Sequence, residues 1–329
     1  MNFDAVEKIA AAILYEGYIL YPYRATAIKN RQRWNFGTLY PRVYAEAQRP
    51  EEPYRLIAEC LVAPESKMSA GLDAMLDAAS LDIRCSFLQL VRQQQDMLAQ
   101  RSEDQHALTD PSLAWDEAVE RTSEHAHLRL KQLITSPLSL TLQMDAANLQ
   151  IEITVSAQIL AEGACKLRLS VQNSSQPPTG AMAKRDEALP FSFVSAHLLL
   201  GITGGEFVSL LDPQPAYREC AAACSNVGVF PVLAGDDPDR SLMLCSPIIL
   251  YDYPQIAPES AGDFFDGTEM DEMLTLRVLT LTDAEKQEMR NGDPRARKIL
   301  ERTEALTPEA MLKAHGIVRE LREMREDAS

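Results

Sequence analysis

From Leu138 to Val171 the apolar residues fall on every second position in three successive runs: Leu138, Leu140, Leu142 and Met144, then Leu149, Ile151, Ile153 and Val155, then Leu167, Leu169 and Val171. A period of two gives an extended chain one apolar and one polar face, so each run predicts a half-buried strand. The short connections between them make an antiparallel meander. Strand signal resumes in FSFVSAHLLLGI (191–202), and Gly204-Gly205 offers a hairpin turn into EFVSLL. It continues through NVGVFPVL (226–233), a GDDP turn at 235–238, SLMLCSPIILYD (241–252) and MLTLRVLTL (273–281). Strands this short and this regularly spaced predict an antiparallel, sandwich-like β domain over 137–281.

The flanks read differently. Phe3, Val6, Ile9, Ala10, Ile13 and Leu14 lie at helical spacing and predict a short amphipathic helix. Residues 15–44 then hold eight of the chain's 21 aromatic side chains, mixed with Arg24, Lys29, Arg31, Arg33 and Arg42. Such a mixture can fill a core with arginines stacked on rings, or present a binding surface, with Tyr18, Tyr23, Arg24, Arg31, Arg33 and Trp34 as its candidates. Tyr54–Val62 alternates as a strand that Pro64 ends, while Ser86–Ile134 reads as two helices, the second started by Asp110-Pro111. At the far end Thr282-x-x-Glu285 forms a capping box, and Asp293-Pro294 and Thr307-Pro308 mark two more helix starts. The run 173–190 has the composition of a long loop. The expected fold is therefore α+β: an aromatic and basic N-terminal segment (1–65), a helical segment (66–136), the β domain (137–281) and C-terminal helices (282–329).

A chain of 329 residues with 46% hydrophobic composition can bury a substantial core, and its net charge of -16 argues against nucleic acid as a partner. That charge favours solubility and basic protein partners. The opening MNFDAVEKIAAAIL lacks a basic n-region and no apolar run approaches the ~18 residues of a membrane span, so a cytoplasmic location is expected, without membrane association. The six cysteines form no dense framework, which suggests reduced thiols.

Few residues carry recognisable chemistry. Cys220 and Cys224, four apart, share a helix face and with Cys245 and His197 would complete a four-ligand zinc set, although small cysteines also simply fill cores. His125 and His127, placed on a helix, would point to roughly opposite sides and serve a solvated face. No G-x-S-x-G elbow or phosphate-binding glycine loop is present, so no catalytic residue or cofactor is expected. Cys245–Glu272 stands apart, with seven acids and no Lys or Arg. Asp252, Asp263, Asp266 and Glu269 suit a hard cation, but their spacing is not that of a calcium loop. The stretch reads instead as a docking loop or clasp in which Asp252, Tyr253, Glu259, Asp263, Asp266 and Glu269 meet a basic surface, with Arg24, Arg31 or Arg33 of the same chain as candidate contacts.

YEGYILYPYRATAIKNRQRWNFG and SPIILYDYPQIAPESAGDFFDGTEMDEMLTLRVLTLTDAEKQEMR, together with the strand between Val194 and Pro213, resemble a family of proteins encoded beside nickel-iron hydrogenase genes, especially the clusters of actinobacterial-type, oxygen-tolerant uptake enzymes. The family has no defined catalytic residues to carry over. The resemblance implies a non-catalytic accessory role in assembly, maturation or scaffolding, with hydrogenase subunits or maturation proteins as partners. The alternative is a metal-binding or hydrolytic enzyme using cysteines and carboxylates in a cleft between lobes.

Overall fold

The computed structural model describes residues 3–17, 21–24, 27, 36–65, 71–92, 116–144, 149–161, 163–256 and 271–307. Its helices and antiparallel strands make an α+β protein. The elements in chain order begin with α1 (Asp4–Tyr15), α2 (Arg42–Ala45), β1 (Arg55–Ala63), α3 (Leu72–Ala78), β2 (Ser80–Arg92), β3 (Asp116–Arg129) and α4 (Leu130–Thr135). The meander β4 (Leu138–Met144), β5 (Leu149–Ile159) and β6 (Cys165–Asn173) follows, then α5 (Arg185–Ala188), β7 (Val194–Thr203), β8 (Glu206–Val208), α6 (Arg218–Ala222), β9 (Phe230–Ala234) and β10 (Leu242–Ser246). Three helices, α7 (Asp271–Leu279), α8 (Asp283–Asn291) and α9 (Pro294–Glu304), complete the described chain.

Two five-stranded antiparallel sheets form, in the orders β4-β5-β6-β1-β8 and β3-β2-β7-β10-β9. In the first, the alternation does what its period requires. Leu149, Ile151, Ile153 and Val155 are buried, and register pairs Ile153 with Val171 and Val155 with Leu169. These side chains share one core with Ala58, Cys60 and Val62 of β1, and with Leu81, Ile83, Cys85, Phe87, Leu198, Leu200, Met243 and Cys245 of the second sheet. The two sheets thus pack face to face as a sandwich, with Phe87 stacked on Phe193 at 4.2 Å. Each fully buried aliphatic side chain contributes roughly 1.5–3 kcal/mol.

The second sheet is buried on both faces. On its outer side α1 lays Phe3, Val6, Ala10 and Ile13 over Leu199, Val232, Ala234, Leu242 and Leu244. This explains the unbroken apolar run LLL in β7, which a sheet with one wet face would interrupt. The expected N-terminal helix is present with the expected stripe.

Two sequence expectations fail. Ser86–Arg92 and Asp116–Arg129 are strands, not helices: β2 and β3 pair along their length, and among the described residues of this stretch only Leu130–Thr135 is helical. β2 in fact alternates Leu81, Ile83, Cys85 and Phe87 into the core, whereas β3 is an edge strand so rich in charge that no apolar period survives in it. The helix start at Asp110-Pro111 lies outside the described residues. Conversely, MLTLRVLTL is helical as far as Leu279 in α7, and the buried Leu274 and Val278, with Leu281 just beyond its end, recur at intervals of four and three.

Contacts divide the chain into two units, 1–18 with 33–255 and 19–32 with 256–329. The boundary expected at 136–137 falls inside the first, between α4 and β4. In the second, α8 carries the expected capping box, Thr282 Oγ1 accepting from the Glu285 amide at 3.3 Å and Glu285 Oε2 accepting from the Thr282 amide at 2.9 Å. Asp293 caps α9 by accepting from the Arg295 amide at 2.7 Å. Thr307-Pro308 leads into undescribed residues. Among the described residues no helix is long and apolar enough to cross a membrane.

Candidate functional site

The stretch after β10 is pinned rather than free. Asp252 accepts from the Ser209 hydroxyl and, at 2.8 Å, from the Leu233 amide, and the Tyr253 amide donates to the Leu233 carbonyl at 2.8 Å. Tyr253 sits at φ 54, and its ring packs against the core between the sheets. Burial raises its phenol pKa, with the Arg240 guanidinium pulling the other way. Asp252 and Tyr253 therefore lock the chain onto the edge of β9. Between them and β10 the segment alternates: Ile248 and Leu250 pack toward the α1 cluster, while Ile249 and Tyr251 stand 74% and 87% exposed.

Arg24 meets acids of α8. It pairs with Glu285 at 3.1 Å and Glu288 at 3.5 Å on α8, inside the second unit. Beside it Tyr23 is buried, and Tyr21 lies edge-on to Tyr23 and beneath the Arg277 guanidinium. Asp252 belongs to the first unit and Arg24 to the second. Tyr18, Arg31, Arg33, Trp34, Glu259, Asp263, Asp266 and Glu269 lie outside the described residues.

The four expected zinc ligands occupy three separate places. Cys220 packs with Leu61, Ala63 and Val208 on the outer face of the first sheet, with Cys224 against the same cluster. Cys245 points into the core between the sheets, and His197 lies on the opposite face of that strand's sheet. A helical spacing of four brought two thiols together, but nothing in the sequence could show that a whole sheet separates Cys245 from His197. Burial also pushes the thiols upward, to about 11 for Cys224 and higher still for Cys245. Among the described residues no group of three His, Cys, Asp or Glu is placed to hold a metal. His125 and His127 lie on a strand: His125 Nε2 is 3.0 Å from Ser123 Oγ, and the His127 amide donates to Asp82 where β3 bulges.

A polar cleft of about 450 Å³ opens instead between α1 and the outer face of the second sheet. α1 supplies Glu7 and the apolar wall of Ala10, Ala11 and Leu14. β2 supplies Arg84 and Ser86, and β3 supplies Glu120, Thr122 and Glu124. His197 and Leu199 come from β7. A bulge immediately precedes His197 in β7. Ser86 pairs with His197 and Leu88 with Val194, so two residues of β7, Ser195 and Ala196, face the single Phe87. Ser195 takes up the irregularity at φ 55, and its amide donates to the Phe36 carbonyl at 2.9 Å. The extra residue shifts the parity of the strand, so that Phe193 before it and Ala196 after it both enter the core, while His197 faces the cleft in phase with Leu199.

His197 is 2% exposed, and burial lowers its pKa, the Ser195 carbonyl opposing that shift. A carbonyl can only accept, so the 3.0 Å contact fixes the proton on Nδ1 and leaves the Nε2 lone pair without a protein partner among the described residues. Arg84 is bonded to Glu7, has Nε 2.7 Å from Glu124, and covers the Phe3 ring. Ser86 Oγ and Thr122 Oγ1 are 3.1 Å apart. Apart from His197 the sequence marks none of these polar residues, and its helix-like pattern over 86–134 hides that Ser86, Glu120, Thr122 and Glu124 stand on paired strands. The alternation of Asp82, Arg84 and Ser86 with Leu81, Ile83 and Cys85 was the available signal.

Fold and site together define an α+β protein built on a two-sheet antiparallel sandwich, with a helix-covered outer face and a histidine-floored cleft. No protein-family profile matches the chain, and no curated protein or solved structure shows significant similarity to it.

Proposed function

We propose that the protein is a non-catalytic accessory factor that works through protein contacts, and that its partners are nickel-iron hydrogenase subunits or the proteins that mature them. The observation that carries the contact surface is the outward pair Ile249 and Tyr251, large apolar side chains on a segment locked by Asp252 and Tyr253. Exposed apolar side chains on pinned backbone make interface anchors, because little conformational freedom remains to be lost on binding. The choice of partner rests on the resemblance of 15–37 and 246–290 to the hydrogenase-associated family. The net charge of -16 adds a preference for a basic face on that partner. Thiol chemistry is the weaker reading, since Cys60, Cys85, Cys165 and Cys245 are buried and burial raises their pKa values.

The test is co-purification of the full chain with hydrogenase subunits and maturation proteins, repeated with an Ile249→Asp, Tyr251→Ser variant. Specific recovery that the double variant loses supports the proposal. A monomer that ignores every one of these proteins overturns it. Deleting the gene and scoring hydrogenase activity and large-subunit processing then separates maturation from later assembly.

A further inference from the structure

The cleft under α1 has a use that protein docking does not require. At its floor His197 is 98% removed from solvent by its 2% exposure, yet Nε2 has no hydrogen bond among the described residues. An unprotonated imidazole nitrogen accepts and does not donate, so it calls for a donor brought by something else. The charge of the walls narrows the choice. Glu7, Glu120 and Glu124 set three carboxylates against the one guanidinium of Arg84, and Glu7 and Glu124 already neutralise Arg84. Glu120 makes no ion pair among the described residues. An anionic ligand would have to displace two carboxylates to reach Arg84. A cation meets an acceptor at the floor and unspent negative charge at the rim. Ala10, Ala11, Leu14 and Leu199 add an apolar wall that suits a short alkyl chain.

We propose that this cleft binds a small alkyl primary ammonium ion, whose N–H groups reach His197 Nε2 and whose charge is balanced by Glu120. The Ser86 and Thr122 hydroxyls, held 3.1 Å apart, are further acceptors for the remaining ammonium protons. No covalent step is involved. His197 faces the cleft in the same alternation that places Leu199 there, while the bulge at Ser195 lets Phe193 and Ala196 both enter the core.

The experiment titrates the full-length protein with n-butylammonium, tetramethylammonium and butyrate, following heat and the His197 imidazole NMR resonances. The expected result is saturable binding of n-butylammonium that shifts the His197 ring nitrogens, with tetramethylammonium about tenfold or more weaker because it carries the charge without a donor. Butyrate should not bind. Glu120→Gln, an exposed change that leaves the fold intact, should weaken n-butylammonium severalfold; His197→Phe should abolish its binding if that variant folds. Equal binding of the two ammonium ions, an unmoved His197 resonance, or no n-butylammonium binding at millimolar concentration would each overturn the proposal. Failure here leaves the hydrogenase co-purification unaffected, so the two ideas stand or fall apart.

Discussion

Gly37 can be no other residue. Its φ is +53, and a Cβ built there would lie 2.4 Å from the Pro247 Cβ. Gly37→Ala should therefore cost roughly 2–4 kcal/mol, the sum of left-handed strain and overpacking. Gly163→Ala, at φ +78 with nothing within 4 Å, should cost only about 1–2 kcal/mol of strain. Urea denaturation of both variants checks the difference. Glu59 gives a second test. Its carboxylate is almost wholly buried and binds Arg168, Lys166 and, at 2.8 Å, the Ser225 amide. Burial raises its pKa, but these three partners outweigh burial and hold it below the usual value of 4.5. A depressed carboxylate pKa stabilises the fold at pH above the unfolded value, and that contribution disappears as pH falls through the folded one. Below about pH 4.5 the native protein should thus lose stability more steeply than Glu59→Gln, as read by denaturant midpoints from pH 6 to pH 3.

At the scale of elements, α1 is the cover of the second sheet. Ile13→Ala should destabilise by about 2–4 kcal/mol, through lost burial and the cavity left over Leu199 and Leu244, and it should raise binding of a hydrophobic dye. The sequence told the elements apart only where burial was one-sided. β5 and β6 keep a polar face, so their period of two is plain, and α1 keeps its helical stripe. β3 carries Glu120, Arg121, Glu124 and Arg129 along an open edge, which reads as a solvated helix. α7 mixes Thr275 and Arg277 into a Leu-rich run so that local alternation hides buried positions four and three apart. The cleft inherits the first of these difficulties, because two of its walls are strands β2 and β3, and 86–134 has the pattern of helices.

For the whole molecule, the thiols report how the sandwich is closed. All six cysteines are free, and five are buried. In native protein a thiol reagent should react slowly with Cys224, whose pKa is pushed up to about 11, and hardly at all with the other five; six should react after unfolding. Rapid native labelling of Cys60, Cys85, Cys165 or Cys245 would show that the inter-sheet core is not closed as described. Association with a basic partner should slow as salt rises, because a charge of -16 steers encounter only within the Debye length, about 8 Å at physiological ionic strength.

The division of the chain also sets an order of events during synthesis. Residues 19–32 belong with 256–329, yet they leave the ribosome before nearly all of the sandwich and wait for partners that emerge last. At about 5–20 residues per second that delay is on the order of tens of seconds. Throughout it Tyr21 is without the Arg277 guanidinium that stacks on it and Arg24 without Glu285 and Glu288, so the newborn chain carries an aromatic and a basic side chain whose finished partners are not yet made. A ribosome stalled before residue 256 should therefore display this segment to chaperones, and release of the finished chain should end that display.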